Sequence, residues 1–165
     1  GPVLYRQQRV GENCKPFWVL KFRTMVQGAD KLAESIAVTD EQGSKVYKRR
    51  DDPRVTRVGR LLRRTSLDEL PQLINVFRGE MSLVGPRPER PEFVRNLEEL
   101  LPHYRLRHVV KPGLTGLWQV SGRSEVPYAE WIELDCYYAR FRSTLLDLQI
   151  LLQTIPAVLS ARGAY

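Results

Sequence analysis

Residues 55–77 read VTRVGRLLRRTSLDELPQLINVF. Apolar side chains recur through them at helical spacing: Val55, Val58, Leu61 and Leu62, then Leu67, Leu70, Leu73, Ile74 and Phe77. Ser66 divides the run, and Gly79 stands where a helix C-terminal glycine belongs. The spacing predicts two helices, with Asp68 and Glu69 at the start of the second. Ser66 and Glu69 fit a capping box. Alternatively Asp68 is the cap, which puts Pro71 in the first turn, where its missing N–H costs little.

On the N-terminal side, residues 3–10 and 17–25 are rich in β-formers. Residues 11–16, Gly-Glu-Asn-Cys-Lys-Pro, read as a turn between them, which predicts a hairpin. Residues 29–37 read as a short helix and residues 38–53 as a long polar loop. On the C-terminal side, residues 81–91 carry three prolines and one glycine and read as a rigid connector. Helices are predicted over 90–101, 128–141 and 145–159, with a turn-rich segment at 111–116. The expectation is one α/β domain over 1–165, mostly helical with a small β-hairpin or sheet.

The 165 residues are 42% hydrophobic and 27% charged, which is globular rather than disordered composition. Two cysteines exclude a disulfide-built or cysteine-rich zinc fold, and the expectation is that both stay reduced. No run of about 18 apolar residues exists to span a bilayer. The chain starts abruptly, without an initiator Met or secretory signal, and is read as part of a longer protein.

The net charge of +7 is concentrated. Between positions 48 and 64 lie Lys48, Arg49, Arg50, Arg54, Arg57, Arg60, Arg63 and Arg64, opposed only by Asp51 and Asp52. Arg54, Arg57, Arg60 and Arg63 step by three and are expected on one side of a helix. Arginine forks suit phosphate oxygens, although such a run is also an ordinary solvated face. The helix at 145–159 has a wide apolar surface suited to a core, its default reading, or to the interface plane of a membrane. Trp131, Tyr137, Tyr138 and Phe141 just before it suit headgroup depth.

For an arbitrary Asp-Glu pair, capping is the default explanation. Here five arginines precede the pair within fifteen residues, and Gly85-Pro86-Arg87-Pro88 follows it. Phosphoryl chemistry uses such parts. One carboxylate can attack phosphorus, a second can hold Mg²⁺, and arginines can carry the developing charge. No Gly-rich P-loop motif is present.

Five strings in order carry a family resemblance: Lys21-Phe22-Arg23-Thr24-Met25, Asp51-Asp52-Pro53-Arg54-Val55-Thr56, the string from Thr65 to Leu73, Gly85-Pro86-Arg87-Pro88, and the string from Arg107 to Gly116. Together they resemble the bacterial sugar transferases, the monotopic phosphoglycosyltransferases. The resemblance implies transfer of a sugar 1-phosphate from a UDP-sugar to polyprenyl phosphate, usually undecaprenyl phosphate, with release of UMP. That is the first membrane step of exopolysaccharide, capsule or O-antigen synthesis. It implies that Asp68 is the nucleophile of a covalent intermediate and that Glu69 is its catalytic partner and the Mg²⁺ ligand. Lys21, Arg23, Arg63 and Arg87 match basic positions around the phosphates, and Arg107, His108 and Arg123 are further substrate-contact candidates. It also implies a place on the cytoplasmic face of the bacterial inner membrane, after a re-entrant helix that would end just before Gly1. A nucleic-acid-binding module is the rival from charge alone, but no zinc-finger, RNP or helix-turn-helix pattern supports it. Monomer and homo-oligomer both stay open.

Overall fold

The computed structural model describes residues 1–29, 31–32, 38–39, 45–46, 52–101, 103–122 and 128–160. The predicted hairpin is present: β1 (Leu4–Val10) pairs antiparallel with β2 (Pro16–Phe22), from Leu4 opposite Phe22 to Val10 opposite Pro16. Its connection is a 3₁₀ turn, Glu12–Cys14, in which Asn13 and Cys14 both take positive φ. The predicted helix at 29–37 falls largely outside the described residues. Inside the stretch expected to be a loop, β3 (Val38–Thr39) and β4 (Lys45–Val46) form a two-residue antiparallel ladder.

Helix α1 (Arg57–Arg64) starts where Thr56 Oγ1 accepts the Gly59 N–H at 2.9 Å. Gly59 lies so close to Thr24 that a Cβ would stand 2.0 Å from its carbonyl oxygen. That approach brings the helix against the end of β2. The expected arginine stripe is not one face. Arg54 precedes the helix and turns inward to Asp52, 2.7 Å away, while Arg57 and Arg60 face solvent.

Helix α2 (Gln72–Phe77) is joined to β2 through Asn75, which is fully buried. Asn75 Oδ1 accepts the Leu20 N–H at 3.1 Å, and its Nδ2 donates to the Trp18 carbonyl at 2.8 Å and to Glu80 at 2.7 Å. One side chain therefore does for β2 what a neighbouring strand would do. Gly79 takes φ +75 after the helix, as its position predicts.

The expected connector and the turn-rich segment are two strands of a parallel pair, β5 (Ser82–Val84) and β6 (Gly113–Thr115). Beyond the pair, Gly85 N–H donates to the Thr115 carbonyl and Gly113 N–H to the Pro86 carbonyl, both at 2.9 Å. Close backbone approach is the reason for both glycines: a Cβ on Gly113 would meet Gly85 N at 2.1 Å. Arg87 thus leaves a segment stitched to its neighbour on both sides.

Helices α3 (Pro91–Leu100), α4 (Leu117–Val120), α5 (Tyr128–Phe141) and α6 (Thr144–Leu159) complete the domain. One core cluster joins Val10, Val94, Tyr104, Ile132 and Cys136; another joins Val84, Val110, Tyr138, Ala139 and Ile150. The core reading of α6 is corrected here. Ile150 is its one buried residue, and Leu145, Leu148, Leu152, Ile155 and Leu159 face outward. Pro156 lies within the helix, which continues to Leu159.

Asn75→Ala is expected to destabilise the protein by about 2–4 kcal/mol, because it orphans the buried N–H of Leu20 and removes the donor to the Trp18 carbonyl and to Glu80. Urea denaturation measures this; a loss below about 0.5 kcal/mol would show that water replaces the amide.

Candidate active site

The acidic pair does not cap a helix. Ser66 sits in the left-handed region at φ 57 and makes no capping bond; Leu67–Glu69 form a 3₁₀ turn, and α2 begins only at Gln72. Asp68 and Glu69 are thereby released from backbone duty.

Glu69 is the hub. Its Oε1 accepts from Lys21 Nζ at 2.7 Å and from Arg87 Nη2 at 2.7 Å, and its Oε2 lies 3.3 Å from Arg87 Nη1. The three side chains are only 17–28% exposed. Burial by itself would raise the Glu69 pKa, but Arg87 and Lys21 outweigh it and hold the carboxyl well below the usual range. Two cations share one carboxylate, so the trio keeps a positive surplus.

Asp68, the neighbouring acid, is half-buried and makes no hydrogen bond or ion pair within the described residues. Burial raises its pKa, Glu69 adds to the rise, and Lys21, Arg63 and Arg87 oppose it. Arg63 is tethered by its Nε to Thr24 Oγ1 at 2.9 Å. The site thus presents one uncommitted, destabilised carboxylate facing fixed cations.

The other expected contacts divide. Arg23 reaches the Pro2 carbonyl at 2.8 Å and stacks over the Tyr5 ring, away from Glu69. Arg107 is 2% exposed and is a scaffold residue rather than an open phosphate ligand. Its Nη1 donates to Tyr104 OH at 2.7 Å, and its Nη2 donates to Asp135 Oδ2 at 2.5 Å and to the Arg87 carbonyl at 2.7 Å. Trp131 Nε1 adds a 3.1 Å bond to Asp135 and stacks on Trp118. A chain of contacts therefore runs from α5 through Arg107 to the backbone that carries the Arg87 fork. His108 is also buried; desolvation, then Arg107, push its pKa down to about 4. A neutral, enclosed imidazole offers phosphate no charge. Arg123 lies outside the described residues.

No three His, Cys, Asp or Glu side chains converge among the described residues. Magnesium often uses one or two carboxylates together with substrate phosphates rather than a protein cage. Asp68 and Glu69 fit that mode, although Glu69 would have to yield part of its hold on Lys21 and Arg87.

Residues 1–161 match the family model described as bacterial sugar transferase. The chain belongs to the bacterial sugar transferase family. It is therefore a transferase enzyme. It is 45% identical over 169 residues to the exopolysaccharide production protein ExoY of Sinorhizobium fredii, covering 100% of this chain and 74% of that protein. It is 42% identical to the undecaprenyl-phosphate galactose phosphotransferase of Salmonella typhimurium over 169 residues, 100% of this chain and 35% of the relative. It is also 42% identical over 170 residues to the UDP-glucose:undecaprenyl-phosphate glucose-1-phosphate transferase of Xanthomonas campestris, 100% of this chain and 33% of the relative. The chain thus spans about a third of these two longer relatives.

The sequence reading missed Arg9, Gln72, Asn75 and Asp135. Asn75 and Asp135 are polar residues inside helical patterns, which is their only signal. Asp135→Asn is expected to cost about 3–5 kcal/mol, since Arg107 stays buried without its counter-charge. Replacing both partners, Arg107→Met with Asp135→Leu, should recover most of that stability while transferase activity stays low, because the grip on the Arg87 carbonyl is gone. Denaturation midpoints measured beside turnover check this; normal turnover in the double variant would reduce Arg107 to a packing role.

Proposed function

We propose that the protein moves a sugar 1-phosphate from a UDP-sugar to polyprenyl phosphate, releasing UMP and giving polyprenyl diphosphate sugar. The observation that carries the reading is the uncommitted Asp68 carboxylate beside a Glu69 already held by Lys21 and Arg87. The relatives named as undecaprenyl-phosphate sugar phosphotransferases support the substrate class. The pathway is the first membrane step of exopolysaccharide, capsule or O-antigen synthesis.

Asp68 attacks the β-phosphorus, the one bonded to the sugar. The P–O bond to the α-phosphate breaks, its electron pair leaves on UMP, and a sugar-phosphoryl ester of Asp68 remains. An oxygen of the polyprenyl phosphate then attacks the same phosphorus and displaces the Asp68 carboxylate. Arg63, Arg87 and Lys21 stabilise the negative charge in both steps. A bound Mg²⁺, with Glu69 as its ligand, would neutralise diphosphate oxygens and sharpen UMP as a leaving group. Each substrate carries a phosphate to the same carboxylate in turn, so one small site serves both.

A lipid acceptor has to reach Asp68 from an apolar phase. Leu67 and Leu70 stand exposed in the same turn, Ile74 and Phe77 are exposed on α2, and Val58 and Leu61 share α1 with the outward arginines Arg57, Arg60 and Arg64. Exposed apolar groups next to basic ones suit an anionic membrane surface. We place this surface on the cytoplasmic face of the bacterial inner membrane.

Asp68→Asn is expected to abolish turnover and the gain of one sugar-phosphate mass on the protein after incubation with UDP-sugar. Mass spectrometry of the intact protein and its peptides reads this; turnover in the Asn variant would disprove the covalent route. Glu69→Gln tests the electrostatics separately. Asp68 reacts as the anion, so activity falls as pH drops through its raised pKa. Removing the Glu69 charge leaves Lys21 and Arg87 to lower that pKa, so the acid limb of the pH–rate profile should move to lower pH even as the rate falls. An unmoved limb would mean that a different group titrates.

A further inference from the structure

Gln72 lies four residues after Asp68, at the start of α2. It is 2% exposed, yet its side-chain amide has no hydrogen-bond partner within the described residues. It lines a cavity of about 10 Å³ together with Arg9, Val19, Lys21, Arg87 and Pro88. That is room for about one water-sized group. A primary amide carries two N–H donors and a carbonyl acceptor. Neither amide atom of Gln72 is sealed from solvent, so the group is open to a water or a ligand oxygen entering from the site.

The lining tells which. Three of its residues are cations. Lys21 and Arg87 divide the single Glu69 carboxylate between them. Arg9 is held in place by neutral oxygens: Nε and Nη2 reach Gln7 Oε1 at 3.1 and 2.6 Å, and Nη1 reaches the Pro88 carbonyl at 3.0 Å. Its nearest carboxylate, Glu89, is 3.9 Å away. Burial pushes the Arg9 pKa down to about 10; Glu89 opposes this, and Arg87 and Arg90 add to it. Glu69 and the more distant Glu89 answer two of the three cations, and Asp68 acts on Lys21 and Arg87 from its own side of the site. Lys21 and Arg87 are partly exposed, so the cavity borders the open side of the site.

We propose that Gln72 and Arg9 form the floor of the donor's phosphate subsite and take one non-bridging oxygen of the phosphoryl group that Asp68 attacks. This rests on the transferase reading above. The amide donates to the oxygen while Arg9 supplies charge from beneath, and the phosphorus is held over Asp68. A neutral water would satisfy the amide but bring no charge to the cations.

The test uses Gln72→Met, which keeps the length and removes the amide, and inorganic phosphate as the probe. Phosphate is titrated calorimetrically into the full chain at constant ionic strength. The expected result is a loss of about tenfold in phosphate affinity, the size of one charge-assisted hydrogen bond. The Tm without phosphate should be unchanged or higher, since the amide makes no hydrogen bond that the substitution would remove. With UDP-sugar, kcat/KM should fall at least as far. Phosphate affinity equal to the wild type overturns the proposal, as does a wild type that binds no phosphate. A lower Tm with unchanged affinity assigns Gln72 to a structural water and also overturns it. The sugar-phosphate adduct on wild-type protein is scored separately. Its absence would sink the transferase reading, while the phosphate titration would still judge the subsite.

Discussion

The site depends on one carboxylate shared by two cations. Lys21 comes from the end of a hairpin, Glu69 from a 3₁₀ turn, and Arg87 from a loop beyond a parallel strand pair. Nothing in local structure makes these segments meet. Closing the trio desolvates three charges, and a partly buried group of this kind is favourable only when every fork is satisfied and the geometry is fixed. The fold provides that fixing at each corner. Asn75 ties α2 to the strand of Lys21, Gly59 lets α1 lie on Thr24, and Gly85 and Gly113 let the Arg87 loop lie on the next backbone. Arg107 then holds the Arg87 carbonyl from inside the domain.

This arrangement also explains where the arginines go. A run of basic residues looks uniform in sequence, yet the fold sorts it by depth. Arg54 is consumed by Asp52 and Arg107 by Asp135, each a buried pair that serves the scaffold. Arg63 stays tethered within electrostatic reach of Asp68. Arg57 and Arg60 remain in solvent. What separates these arginines is depth: Arg54 and Arg107 are sealed in with their carboxylates, while Arg87 shares Glu69 with Lys21 at a partly open site.

The hairpin and the longer helices were legible because apolar periodicity and turn residues act locally. Asp68 and Glu69 stood out by their company of arginines, and Lys21 and Arg87 through the family strings around them. Three-residue strands were not legible. Residues 82–84 and 113–115 are too short for any alternation, and their glycines and prolines look like turns until the parallel partner is present. Capping was misread for a related reason: Ser-x-x-Glu fits a helix start, but Ser66 goes left-handed and Glu69 finds two distant cations instead. Arg107 and His108 were named as contact candidates through the family string that contains them, and only burial shows them enclosed. The apolar face of α6 was legible but its direction was not: it suited a core, the default, or a membrane interface, and the fold turns it outward.

Two adjacent acids in one turn would ordinarily be interchangeable. Here the surroundings push them apart. Glu69 is held far below the usual carboxylate range, with its lone pairs occupied by Lys21 and Arg87, and an anion so well stabilised is a poor nucleophile. Asp68 is moved the other way by burial and by Glu69 itself, and its oxygens are free. Such splitting of neighbouring groups is how a site assigns different tasks to chemically similar side chains. The same Glu69 charge has two effects at once. It neutralises part of the cationic surplus, so the cluster can stay folded without substrate, and it raises the basicity of the carboxylate next to it. In the proposed reaction an entering phosphate competes with Glu69 for Lys21 and Arg87, which would couple substrate binding to the reactivity of Asp68 through one shared pair of cations.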